Sequence, residues 1–260
     1  MIHSYPSVYD IGHKAIEGIF NGPVIIEEKV DGSQFSFGVV DGELMCRSKG
    51  KQLLLDAPEK MFTRTVETAK TLACHLRPDW VYRCEYLEKP KHNTLAYDRV
   101  PIMHLIGFDI CPGLEEYLSP NEKRAEFICL GLECVPLLYD GEVTGFEMFS
   151  DFLQRDSVLG GCKVEGVVVK NYSLFTGEKK VAMGKYVSEG FKETHAGDWK
   201  QRNPSQSDIL RRLIEQYRTD ARWQKAVQHL RDAGSLEGSP RDIALLIREI
   251  PADVRKECEA

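Results

Sequence analysis

No long apolar run interrupts the sequence: nowhere do its 260 residues approach the ~20 consecutive apolar residues a membrane-spanning helix requires. The opening Met1-Ile2-His3-Ser4-Tyr5-Pro6 lacks a basic stretch followed by an apolar one, so no secretory leader is expected. The eight cysteines include no Cys-x-x-Cys pair and lie scattered, which fits neither a disulfide framework nor the usual zinc spacings. Reduced thiols in a cytoplasmic protein are the expectation. Excess positive charge is also missing, since 34 Lys+Arg face 40 Asp+Glu for a formal charge of −6. This balance argues against a protein that holds nucleic acid mainly through a basic surface, but not against an enzyme acting on nucleic acid. Internal repeats and low-complexity tracts are absent too.

With 42% hydrophobic residues, the chain has ample material for a core. Val24-Ile25-Ile26 leads into Glu27-Glu28-Lys29, after which Phe35, Phe37 and Val39 alternate at strand period, and Asp41-Gly42 gives a tight hairpin turn before Leu44-Met45-Cys46. Met61, Phe62, Thr65, Val66, Ala69, Leu72 and Leu76 recur at helical spacing and predict an amphipathic helix from Pro58 to Leu76. Strands are expected from Trp80 to Leu87 and from Ile102 to Ile110. Ser119-Pro120-Asn121-Glu122 is a helix start, with the Ser hydroxyl and Glu122 placed for a reciprocal cap; that helix should reach Leu130 and stop near Gly131. Short apolar residues follow at Val135–Tyr139, then a brief helix near Phe146–Gln154, a β-branched run from Val164 to Val169, a turn at Thr176-Gly177-Glu178 and a strand from Val181 to Val187. Beyond Trp199 only helical patterns remain, at Ser205–Tyr217, Asp220–Leu230 and Ser239–Ile250. The charge changes sign there, from −8 over residues 1–199 to +2 over 200–260. The fold class predicted is α+β, with a helical C-terminal piece.

Four clusters carry ionisable side chains at strand ends or turns: Lys29-Val30-Asp31-Gly32, Arg47-Ser48-Lys49, Cys84-Glu85-Tyr86, and Glu165-Gly166-Val167-Val168-Val169-Lys170. A Lys-x-Asp-Gly by itself is more often a surface turn. A strand apolar in its middle and charged at both ends delivers those ends to solvent or to a site, because an unpaired buried charge is costly. On an ideal strand Glu165 and Lys170 point to opposite faces, so a shared ligand needs a twist or bulge at one end.

The order Lys29-x-Asp31-Gly32, Arg47-Ser48, Glu85, Phe108-Asp109, Glu165-Gly166-x-x-x-Lys170 and Lys185 resembles the covalent nucleotidyltransferases. This superfamily comprises the ATP-dependent DNA and RNA ligases and the mRNA capping enzymes, and the likeness is strongest to its RNA ligase 2-like branch. The segment from Glu85 to Leu95, with Tyr97 and Arg99, is similar to the same branch. The resemblance implies a nucleotidyltransferase domain of antiparallel sheets flanked by helices over 1–197 and a small all-helical domain over 198–260. It implies that Lys29 attacks the α-phosphate of ATP, expels pyrophosphate and becomes lysyl-AMP. A free Lys has a pKa of about 10.4, so such an attack needs positive charge nearby to remove the proton. Mg²⁺ or Mn²⁺ would supply it, with Glu165 as the metal-binding carboxylate. Glu85 would accept from the ribose hydroxyls, Phe108 would stack on adenine, and the backbone around Glu28 would read the adenine edge. Without the resemblance, Phe108 reads as a core aromatic. Arg47, Lys170 and Lys185 would surround the phosphates, while Asp31 and Gly32 would shape the turn presenting Lys29.

The RNA partner implied carries 5′-phosphate and 3′-OH ends, a nicked duplex among the candidates, recognised by A-form shape more than by sequence. Gln34, Lys89, Lys91 and Arg99 are the candidate RNA contacts, with solvated loop charge an equal reading for the last three. His92 has no partner at metal-ligand spacing. One departure is visible: the family's fifth motif has two lysines separated by one residue, whereas Met183-Gly184-Lys185 keeps only the second, so that either Lys180 or Lys192 compensates or the α-phosphate contact is weaker than usual. DNA ligases and capping enzymes add a strand-rich OB-fold after this motif, and no such pattern follows Lys185. An RNA end-joining enzyme is therefore expected; a capping-type guanylyltransferase using GTP and a non-catalytic nucleotide- or RNA-binding protein are the alternatives.

Overall fold

Alternating apolar residues and glycine turns fold the first two-thirds of the chain into two sheets whose outer faces are apolar. The computed structural model describes residues 1–145, 147–187, 220–236, 238–239 and 242–249. It divides the chain into two compact units, Met1–Thr194 and His195–Ala260. In the first unit, β1 (Val8–Asp10), β2 (Val24–Lys29), β9 (Leu137–Gly141), β10 (Gly166–Phe175) and β11 (Val181–Val187) form one sheet in the order β1-β11-β10-β2-β9. The second sheet, in the order β5-β4-β3-β6-β7-β8, uses β3 (Ser33–Val40), β4 (Glu43–Ser48), β5 (Gln52–Leu53), β6 (Val81–Tyr86), β7 (Leu105–Cys111) and β8 (Glu133–Cys134). Pairing is antiparallel except at β1–β11 and β7–β8.

Helices cover the outer faces. Phe35, Phe37, Tyr82 and Cys84 of the second sheet pack with Val66, Ala69 and Leu72 of α1 (Thr63–Leu72) and Phe127 of α2 (Pro120–Cys129). On the first sheet, Val24, Ile26, Val167 and Val169 pack with Phe149 and Phe152 of α3 (Glu147–Leu153). Strand alternation leaves the other set of residues on each sheet facing inward, and that set contains the charged side chains described below.

Local chemistry explains the boundaries. Asp41 and Gly42 take φ of 53° and 80°, the left-handed pair that closes a two-residue hairpin between β3 and β4. The capping box at Ser119 forms as the sequence predicts, with Glu122 reaching back to the Ser119 N–H, and Gly131 ends the helix at φ 71°. The helix expected from Pro58 to Leu76 is three pieces: a 3-10 turn at Lys60–Phe62, α1, and a second 3-10 turn at Ala73–His75. The strand expected from Ile102 begins only at Leu105. Ile102–His104 is a 3-10 turn with Met103 and His104 at φ 55° and 64°, held by Ile102 N donating to Glu133 at 2.6 Å and His104 Nδ1 bonded to the Leu87 carbonyl at 2.8 Å.

In the second unit, α4 (Asp220–Asp232) and helical backbone at 242–249 fall on two of the helices expected from the sequence. The Asp242 carboxylate accepts from the Ser239 N–H at 3.1 Å, one half of a capping box at the start of the second of these. The predicted helix over 205–217 lies outside the described residues. No helix among the described residues is long and apolar enough to cross a membrane.

Gly166, which opens β10, has no room for a side chain: a Cβ there would lie 2.4 Å from the Tyr186 carbonyl oxygen. Gly166→Ala should therefore lower stability by about 2 kcal/mol, the scale of core overpacking. Gly177→Ala, where a Cβ meets nothing within 4 Å, should be close to neutral; urea titration of both variants checks the contrast.

Candidate active site

Lys29 closes β2, and its partner across the ladder is Gly166, the first residue of β10. Glu165 thus sits one residue before the strand, where alternation no longer dictates its direction, and it turns to the Lys29 side. The ammonium lies 2.7 Å from Glu165 Oε1 and 2.9 Å from Oε2, with 3% of the Glu165 side chain exposed and 27% of that of Lys29. Lys185 on β11 pairs across the ladder with Val168, bringing it to the same face as Lys29, and its Nζ is 3.8 Å from Asp10 Oδ1.

Lys170 sits farther along β10, with its Nζ 5.6 Å from the centroid of the Phe108 ring. It pairs with Ile25, four residues along β10 from the Gly166 rung and so about 13 Å from it along the strand. Its side chain is 2% exposed and is held by Glu27 at 2.6 Å, Asp109 at 3.0 Å and the Phe108 carbonyl at 2.8 Å. Three buried acceptors thus hold its ammonium, four residues along β10 from the rung of Lys29.

The second sheet supplies the facing wall. Gln34 and Glu85 are cross-strand partners on β3 and β6, and Arg47 on β4 pairs with Ser36 of β3, on the same face. The Nε of Arg47 is buried without a hydrogen-bond partner. Phe108 is half-buried on β7 at a bulge, where Arg83 pairs with Asp109 but Cys84 pairs with Gly107. Between the walls, Gly32 is obligatory, since a Cβ there would lie 2.7 Å from both the Tyr86 carbonyl oxygen and Glu85 Cγ.

Asp31 does more than shape its turn. Its Oδ2 accepts from the N–H groups of Thr94 at 2.8 Å and Leu95 at 2.9 Å, its Oδ1 accepts from Asn93 at 3.2 Å, and its own N–H donates to the Tyr97 hydroxyl at 2.8 Å. The loop after β6 is thereby tied to the residue two after Lys29. His92 belongs to the same strap: Nδ1 accepts from the Glu88 N–H, so Nε2 carries the proton to Ser33 Oγ at 3.0 Å, and burial pulls its pKa down. Lys89 and Lys91 are exposed on this loop. Arg99 is held by a two-pronged bond to Glu133 at 2.8 and 2.7 Å. Glu28 points to the opposite face from Lys29, where Ser157 Oγ donates to it at 2.5 Å and the Val158 N–H at 3.1 Å. Met183 is fully buried, Lys180 is paired with Glu115 at 2.8 Å, and Lys192 lies outside the described residues.

Electrostatically, the site is short of positive charge. Burial pushes the Glu85 carboxyl up to about 8, opposed by Lys29 and reinforced by Glu165 and Asp31. Burial also raises Glu165, against the pull of Lys29. Burial alone would lower the Lys29 pKa, but Glu165, Glu85 and Asp31 outweigh it and hold the group above its ordinary value. Lys185 is pulled down by burial, with Asp10 opposing and Lys29 assisting. Among the described residues no three His, Cys, Asp or Glu side chains form a cage able to hold a metal. A few carboxylates with unmet charge suit Mg²⁺ or Mn²⁺, which are held by one or two carboxylates plus waters and substrate phosphates.

Two consequences are measurable. Glu165→Gln removes the largest influence raising the Lys29 pKa, so in ligand-free protein the amine should titrate lower; mass-spectrometric acylation rates of Lys29 against pH would show the shift, and an unchanged profile would contradict the arrangement. Glu85 has a folded pKa above its unfolded value, so its proton stabilises the fold fully below about pH 4.5 and this contribution is lost as pH rises towards 8. Glu85→Gln should accordingly flatten the decline in melting temperature between pH 5 and 8 and melt higher than the parent at pH 8.

A model of the RNA ligase family matches residues 22–187, well over half of the chain. Among solved structures, an RNA ligase of Naegleria gruberi with PPi superposes with a TM-score of 0.57 at 17% identity, covering 75% of this chain and 58% of that one. Point mutants of the same ligase, one with ATP and Mn and another with AMP and Mn, each give a TM-score of 0.56 at 17% identity over the same shares of the two chains. The chain thus spans less than two-thirds of the length of these ligases, and the likeness is one of fold. No curated protein matches. The matched span contains Lys29, Arg47, Glu85, Phe108, Glu165 and Lys185 on the strands just described, and the chain belongs to the RNA ligase family.

Proposed function

We propose that this protein is an ATP-dependent RNA ligase that joins 3′-OH and 5′-phosphate RNA ends, with Lys29 as its nucleophile. The observation that carries the reading is the Lys29 ammonium seated 2.7 Å from the buried carboxylate of Glu165, with Lys185 on the same sheet face and Glu85 opposite. In the first transfer Lys29 Nζ attacks the α-phosphorus of ATP, an N–P bond forms, and the bond to pyrophosphate breaks. The amine must first lose its proton, and Glu165 is the nearest base to it. Glu165 would hold Mg²⁺ or Mn²⁺, whose charge lowers the Lys29 pKa and offsets charge on the departing pyrophosphate. Lys185 and Arg47, with its unpartnered Nε, supply the fixed positive charge around the phosphates. Glu85 takes the ribose hydroxyls, and Phe108 supports the adenine.

The second transfer moves AMP from Lys29 to the RNA 5′-phosphate, which breaks the N–P bond and returns the lysine. In the third, the 3′-OH attacks that phosphate and AMP leaves. Exposed Lys89 and Lys91, together with Gln34, are the proposed contacts to RNA phosphates. Arg99 already serves Glu133 and could join them only through its exposed edge. We assign residues 1–197 to adenylation and 198–260 to engagement of RNA.

Incubation with α-labelled ATP or GTP and Mg²⁺, followed by denaturing electrophoresis, tests this reading. Acid-labile label is expected from ATP alone and should fall more than a hundredfold in Lys29→Ala. Label from GTP would indicate a capping-type enzyme; no label from folded, AMP-free protein would indicate a non-catalytic binder and direct attention to Met183. Removal of 200–260 should spare self-labelling while reducing the sealing of nicked RNA.

A further inference from the structure

Four charged side chains, each at most 2% exposed, form a closed ring of alternating sign between the two sheets. Glu27 lies on β2, two residues before Lys29; Lys170 is on β10, Asp109 on β7 and Lys123 on α2. Lys170 takes Glu27 Oε2 at 2.6 Å and Asp109 Oδ2 at 3.0 Å, while Lys123 takes Glu27 Oε1 at 2.6 Å and Asp109 Oδ1 at 3.2 Å. Both ammonium groups also donate to one further acceptor, the Phe108 carbonyl, at 2.8 Å from Lys170 and 2.7 Å from Lys123. The hydroxyls of Tyr5 and Tyr172 complete the Asp109 carboxylate.

Two features single out this arrangement. Phe108 is the extra residue of the β6–β7 bulge, so its placement depends on contacts other than a regular ladder rung, and the two lysines provide them. Lys123, moreover, sits in the first turn of α2, where the positive end of the helix dipole opposes a cation and burial opposes any charge. A leucine or methionine would fill that position at less cost. What the ammonium adds is a direct bond to the backbone of Phe108 and a link to the strand that carries Lys29.

We propose that Lys123 and Glu27 are positioning residues for the nucleotide base, setting the Phe108 platform relative to Lys29. This rests on the reading above, in which Phe108 carries the base. Neither residue touches the reacting atoms. Glu27 joins the nucleophile strand to both lysines, and Lys123 passes the constraint across to β7.

The test separates the base from the phosphates. Dissociation constants for ATP and for inorganic tripolyphosphate, which has phosphates but no base, are measured by calorimetry for the parent, Lys123→Met, and the charge-balanced double variant Lys123→Met with Glu27→Gln. The double variant serves if the single one, left with an unpaired buried carboxylate, does not fold. Affinity for ATP should fall at least tenfold, with tripolyphosphate affinity unchanged within twofold and, in self-labelling, KM for ATP rising more than kcat falls. Equal weakening of both ligands would reveal general loosening of the fold and overturn the proposal. Unchanged ATP affinity in a folded variant would overturn it as well, as would a parent that binds ATP no more tightly than tripolyphosphate. A parent that binds ATP but forms no covalent AMP would sink the ligase mechanism alone, and the affinity ratios would still decide the role of Lys123.

Discussion

Opposite charges buried between the two sheets are the constraint on which the rest of this molecule depends. Each sheet turns an apolar face to its helices and a charged face inward, so the interior between the sheets holds Glu27, Asp109, Lys123 and Lys170 with almost no exposure to water. Charges so placed survive only when each is matched and hydrogen-bonded, because losing one partner of a buried pair costs about 3–5 kcal/mol. Burial by itself would raise the Asp109 pKa, yet Lys170 and Lys123 hold it below its ordinary value, which keeps the carboxylate ionised and the ring neutral. Directional bonds between the sheets thus act beside the apolar cluster of Val30, Leu87, Tyr97, Ile106, Val135 and Leu159.

At the open end of the same interface the balance is deliberately incomplete. Lys29 meets Glu165, Glu85 and Asp31, which together hold its pKa above the ordinary value, while burial raises Glu85 and Glu165 and lowers Lys185. Closed ring and open end lie on one strand, with Glu27 and Lys29 sharing a face of β2. Buried, matched charges anchor the middle of the strand, while its last residue, Lys29, faces several carboxylates at the more open end.

Much of this was legible in sequence, and the exceptions have physical reasons. The Asp41-Gly42 hairpin and the Ser119 cap follow from backbone conformations that those residues favour. The motif order predicted Lys29, Glu85 and Glu165 as neighbours, whereas strict alternation predicted that Glu165 and Lys170 point to opposite faces. Both turn inward: Glu165 reaches Lys29 because it precedes β10, and Lys170, inside the strand, is committed to Glu27. Lys123 was invisible because a lysine in a first helical turn reads as solvated, and its acceptors are supplied by strands distant in sequence. Likewise, the bonds from Asp31 to the backbone of Thr94 and Leu95 depend on a loop path that no periodicity encodes.

The order of strands also bears on how the candidate site is assembled as the chain is made. The second sheet is built from the continuous stretch 33–134, so its strands can pair as they emerge. The first sheet joins Val8–Asp10 to β11 and Val24–Lys29 to β10, across more than a hundred residues. Such distant pairing is slow, because the entropy of closing the loop is spent before contacts form. During synthesis β2 can pair with β9 once residues 137–141 have emerged, but the rung that seats Lys29 beside Glu165 must wait for β10. A chain cut short before β10 would consequently hold the complete second sheet and no Lys29–Glu165 pair, so the two walls of the candidate site come together only late in the chain's emergence.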